Sequence, residues 1–170
     1  PEFSADMIML HKNKVDEKGR FYMGKQAARM EMGEKKEPVI VFRIDQDVMW
    51  TIIDKDKTYM AMKMKYNALA NYRPEGFSET CNGTETIDGH LCDKCLSVGK
   101  FMGKKVSTNI WKARDLNGAV IRNLDNKGTG SELKNIIKGP QPNSLFEAPA
   151  GYKKIELPGS LGDLMKGMMK

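Results

Sequence analysis

The stretch TYMAMKMKY, Thr58 to Tyr66, carries methionine at every second position: Met60, Met62 and Met64. Met30 and Met32 repeat the spacing in RMEM, and Met7 and Met9 repeat it in DMIML. Successive side chains of an extended strand point to opposite faces, so each set shares one face. Thioethers in such a row can do one of three things. They can fill a core, present an adaptable surface that repacks around varied apolar ligands, or act as soft ligands for Cu(I). The His or Cys that usually supports copper is not within these segments, and the chain holds only His11 and His90. The seven methionines are therefore read as the lining of an apolar binding face, with Trp50 and Trp111 as secondary lining and no metal assigned.

Cysteine offers a second set: Cys81, Cys92 and Cys95. A C-x-x-C such as CDKC is redox-active at a helix N-terminus, where the dipole lowers the thiol pKa. Here it follows an Asp-Gly turn inside a strand, so that activation is missing. Leu96 stands where c-type haem attachment needs histidine. A disulfide with one thiol left over is the plainer reading, and Cys81 opposite Cys95 across the turn is the favoured pair.

Other motifs fail on spacing. In DNKGTGSEL, Glu132 falls seven residues after Asp125, whereas a calcium loop needs its bidentate glutamate at the twelfth position. NKGTGS does not match the phosphate-binding loop. With two histidines and no nucleophile–base or paired-carboxylate grouping, acid–base catalysis has little material. A non-catalytic binding protein without cofactor is the expectation.

The elements that would position these residues follow from alternation. FSADMIML, RFYMGKQAARMEM, PVIVFRI, VMWTIID and TYMAMKMKY are joined by short turns rich in Gly, Asp, Asn and Lys. They predict about five antiparallel strands in the first 66 residues. NALANYRPEGFSET breaks the pattern as a crossing connection. Strands resume around Asp88-Gly89, a hairpin-turn signal, and continue through KKVSTNIWKARD, GAVIRNLD and GSELKNII. Ser144 to Glu147 predicts a helical turn stopped by Pro149. Leu161, Leu164, Met165, Met168 and Met169 sit at helical spacing in a Met-rich tail. Nine or ten strands with so few helices predict a mainly β chain with one large sheet, which must curl to bury a face.

Composition fits one domain. The 170 residues are 40% hydrophobic and 29% charged, with 13 Met against 6 Phe and 2 Trp. No apolar run approaches the ~20 residues that cross a bilayer as a helix. The net charge of +6 is spread as solvated lysines beside acidic residues, with no nucleic-acid fingerprint.

Several segments together resemble a bacterial family of secreted domains of unknown function grouped with the LolA/LolB-like superfamily. They are FSADMIM, ARMEM, VMWTI with YMAM, GTETIDGHLCDK, WKARDL and LKNIIKGPQPNSLFEAPAGYKKI, in order from Phe3 to Ile155. The resemblance implies an unclosed antiparallel half-barrel over residues 1–155; residues 156–170 are left as a Met-rich tail, whose helical spacing predicts a short helix. It also implies export to the periplasm or cell envelope, with the signal peptide absent from this chain. By analogy with lipoprotein carriers, a concave apolar face would take a lipid, an acyl chain or a lipoprotein. Cu(I) binding through the Met-x-Met strands, or an envelope scaffold docking a partner protein, is the alternative. The family carries an aromatic residue where Cys95 stands, so a disulfide there is particular to this chain.

Overall fold

The computed structural model of the chain describes residues 1–36, 38–63, 78–101 and 104–160. Twelve strands form one sheet: β1 (Phe3–His11), β2 (Lys14–Met23), β3 (Ala27–Met32), β4 (Val39–Arg43), β5 (Val48–Ile53), β6 (Thr58–Lys63), β7 (Ser78–Ile87), β8 (His90–Phe101), β9 (Lys104–Ala113), β10 (Ala119–Asp125), β11 (Gly130–Lys138) and β12 (Lys153–Ser160). Their order is β12-β6-β5-β4-β3-β2-β1-β11-β10-β9-β8-β7. Two meanders, β1–β6 and β7–β11, are thus welded where β1 pairs antiparallel with β11. The outer strands β12 and β7 do not pair with each other, which leaves the half-barrel unclosed.

Local chemistry explains the joints. Between β4 and β5, and again between β5 and β6, a 3-10 turn (Ile44–Gln46, Asp54–Asp56) ends on a left-handed residue, Asp47 or Lys57. Asp88 and Gly89, both at positive φ, make the tight β7–β8 turn, the twist that suits a two-residue hairpin. Asp125 Oδ1 accepts the backbone N–H groups of Lys127 and Thr129, fixing the β10–β11 turn.

Two expectations need correction. RFYMGKQAARMEM is two strands, because Gly24 donates its N–H to Ala27 O at 2.8 Å and turns the chain between β2 and β3. The twelfth strand, β12, was not expected, and it pairs parallel with β6 in an otherwise antiparallel sheet. It runs from Lys153 to Ser160. The crossing segment NALANY, Met64 and the tail after Ser160 lie outside the described residues.

The sheet buries both faces, in different places. On one face Val39, Val41, Trp50, Ile52 and Ala61 pack under Phe146 of the 3-10 turn Asn143–Phe146. Arg29 and Arg43 tie that turn down, donating to the carbonyl oxygens of Leu145 and Phe146, each at 3.1 Å. The other cluster runs from Met32 through Phe3, Ala5 and Met7 to Leu133, Ile121, Trp111, Ala113 and Cys92.

Candidate functional site

Directly opposed residues of neighbouring strands share a face, so the register shows what the methionines form. One row runs Ala5, Phe21, Met30, Ile40, Thr51, Met60, Ile155 across β1, β2, β3, β4, β5, β6 and β12. A second runs Phe3, Met23, Ala28, Phe42, Met49, Met62. A third, Met7, Gly19, Met32, lies beside them. Met7, Met9, Met30, Met32, Met60 and Met62 therefore occupy one continuous face.

Burial along these rows is graded. At the β1 end Phe3, Ala5 and Met7 are buried in the core. Farther out, Ile40, Met49, Met60 and Met62 are half-buried and, among the described residues, join neither core cluster. This outer part of the face is apolar surface that the rest of the described chain leaves partly open.

Register also sorts the tryptophans. Trp50 stands between Val41 and Ala61 on the opposite face, 8% exposed. Arg43 lies 5.5 Å above its ring, and Tyr59 meets it edge-on. It does not line the methionine face, because its parity along β5 is opposite to that of Met49. Trp111 is 6% exposed, donates Nε1–H to Glu85 at 2.7 Å, and is flanked by Lys94 and Arg122. It shares the cluster of Met7 and Met32 as buried packing.

Met23 and Met49 are row members that sequence reasoning missed. Met23 alternates with Phe21 and was legible from the period alone. Met49 was hidden because VMWTII alternates equally well in either parity, and only pairing with Phe42 and Met62 selects one.

The cysteines form no metal centre in this state. Cys81 and Cys95 stand opposite each other in register and are disulfide-bonded. Glu79 is near both sulfurs but is ion-paired with Lys112. Cys92 is a free, fully buried thiol, and burial pushes its pKa up, the opposite of activation. His90 Nδ1 lies 2.9 Å from Asp115, which also receives Lys138 Nζ. Those two hydrogen bonds, Lys138 foremost, hold the Asp115 carboxyl below its ordinary value. A cleft of about 660 Å³ is on neither methionine row but between the strand ends and the 140–147 segment, lined by Glu2, Lys25, Arg43, Asp45, Phe146 and Glu147 among others.

Residues 4–120 match the model of a domain of unknown function, DUF4412. The chain belongs to this family. Among curated proteins, none matches this DUF4412 domain in sequence. Its fold is similar to the crystal structure of MucB, with a TM-score of 0.54 at 10% identity over 89% of this chain. It is also similar to the Pseudomonas aeruginosa MucA/MucB complex, with a TM-score of 0.58 at 11% identity over 92% of this chain. The DUF4412 chain spans 58% of the length of each of those chains. At such identity the likeness is one of fold. Among the described residues no helix is long and apolar enough to cross a membrane.

Proposed function

We propose that this DUF4412 domain is a non-catalytic, LolA-like binding domain of the periplasm or cell envelope, which shelters an apolar ligand, the acyl chain of a lipid or lipoprotein, on its methionine face. The observation that carries the reading is the half-open outer part of the face at Ile40, Met49, Met60 and Met62, set on a sheet whose reverse face has its own packed core. Removing apolar area from water contributes roughly 25 cal/mol per Å², and thioethers adapt to chains of different length and curvature. No bond need be made or broken. The Cys81–Cys95 disulfide supports an oxidising compartment such as the envelope.

A second reading rests on the fold neighbour solved as a MucA/MucB complex: the same face would take an apolar segment of a protein partner. One titration separates the two. An acylated peptide and the same peptide without its acyl chain are added to purified protein and followed by native mass spectrometry. Binding of the acylated form alone supports the acyl reading, and equal binding of both supports the protein reading. Binding of neither, with no lipid co-purifying, defeats the proposal.

A further inference from the structure

The net charge of +6 is not spread evenly over the folded chain. The β1–β2 turn at Lys12 and Asn13 lies beside the β10–β11 turn at 126–129, at one rim of the half-barrel. Asn13 N–H joins them, donating to Gly128 O at 2.9 Å. β9 reaches the same rim, because its last pairing with β10 sets Thr108 opposite Asp125. Its first four residues, 104–107, therefore run on about 13 Å past that pair, at ~3.3 Å per residue.

Residues 11–18, 104–108 and 125–129 carry six lysines, Lys12, Lys14, Lys18, Lys104, Lys105 and Lys127, against three carboxylates, Asp16, Glu17 and Asp125. All six lysines are exposed, and among the described residues none is in an ion pair. The next turns of this rim do not cancel the excess: Glu34 and Glu37 are matched by Lys35 and Lys36, and Asp54 and Asp56 by Lys55 and Lys57. At the opposite rim, by contrast, Arg43 is engaged by Asp45 and Glu147, Arg114 by Asp93 and Lys138 by Asp115. Like charges gathered without partners repel one another, and a surface of opposite sign relieves that repulsion.

Three features select that surface. The lysines stand on turns and strand ends, where they meet a plane more readily than a single threaded polymer. They are lysines throughout, hydrated point charges without the guanidinium fork that reads one phosphate bidentately. Val15, 56% exposed, stands among them on β2, and an apolar side chain within a basic patch suits a headgroup layer with hydrocarbon beneath it. We infer that this rim is a docking surface for an anionic lipid bilayer, with Lys12, Lys14, Lys104, Lys105 and Lys127 facing the headgroups. The inference rests on the envelope reading above and adds a membrane orientation to it. Met9, two residues from the end of β1, sets the edge of the methionine face beside the docked bilayer.

Co-sedimentation of the full chain, without acyl ligand, tests this with vesicles of phosphatidylcholine alone and of phosphatidylcholine and phosphatidylglycerol in equal parts. Binding to the mixed vesicles alone is expected, and high salt should abolish it. Removing one lysine from such a contact should weaken partitioning about fivefold, so Lys14→Gln with Lys127→Gln should weaken it about 25-fold. Lys25→Gln with Lys63→Gln removes equal charge from exposed positions at the opposite rim and should change it less than about twofold, being more than a screening length away. Unchanged circular dichroism shows that both variants fold. Equal binding to phosphatidylcholine, binding to neither vesicle, or the two variants weakening it alike overturns the assignment. Equal affinity for soluble polyglutamate overturns it in favour of a soluble polyanion. The acyl-peptide titration uses no vesicles, so the docking rim and the binding face fail separately.

Discussion

The two faces of the β4–β6 region differ in one measurable respect: how much stability each lends without a ligand. Ile52 is 1% exposed within the packed reverse face, and nothing can fill the space its side chain leaves. Ile52→Ala should therefore lose both transfer energy and a cavity term, about 4 kcal/mol. Met60, half-buried two ladder positions away through Thr51, forfeits only part of its transfer energy, and solvent takes the vacated volume. Its replacement by alanine should cost about 1 kcal/mol. For a chain this long, each kcal/mol moves Tm by about 2–4 °C. Ile52→Ala should thus melt roughly 8–16 °C below the parent and Met60→Ala only about 2–4 °C below. Urea unfolding followed by circular dichroism gives the free energies directly, and unchanged slopes show that the exposed area is unaltered. If Met60→Ala costs as much as Ile52→Ala, the methionine rows are closed core and the binding reading fails. If it costs little, the same variant should weaken acyl binding, because the side chain then serves the ligand more than the fold.

Three other perturbations have defined outcomes. A Cβ at Gly19 would sit 2.1 Å from the backbone oxygen of Glu31, so Gly19→Ala must push β2 from β3 and should cost several kcal/mol, at the upper end of the ~0.5–3 usual for a single substitution. A Tm close to the parent's would contradict that packing. Removing the Cys81–Cys95 bridge, which closes a separation of 14 residues, should lower stability by about 3 kcal/mol. The melting curve with and without reductant measures this, while Cys92, at 0% exposure, should resist alkylation until the chain unfolds. The Asp6 carboxyl is held below its ordinary value, chiefly by the hydrogen bond from Asn135 and then by that from Arg20. A folded-state value that is depressed means stability present above the unfolded value, near pH 4, and lost as pH falls through the folded one. Asp6→Asn should flatten the acid limb of urea midpoints measured from pH 6 downward. A parent and variant that lose stability in parallel would remove Asp6 from that account.

Alternation alone determined a good deal about this chain. It required strands, placed Met60 with Met62 and Met30 with Met32 on common faces, and marked Asp88-Gly89 as a hairpin turn, all from contacts within a few residues. The favoured Cys81–Cys95 pair belongs here too, because a single hairpin sets its register and only a bulge after Cys81 intervenes. Tertiary structure alone decided the rest. Whether Met49 or Trp50 joins the methionines depends on the register across three strands, since VMWTII is amphipathic in neither parity by itself. The weld of β1 to β11 brings Met7 opposite Leu133, and β12 lies beside β6 with Lys153 opposite Thr58. No local signal encodes either pairing, because a strand's backbone bonds with any partner of suitable shape, and the choice is made by competition among strands far apart in sequence. The partly open stretch of the methionine face at Ile40, Met49, Met60 and Met62 belongs to the same class: among the described residues it is defined by what the other strands leave uncovered, and only the assembled sheet specifies that.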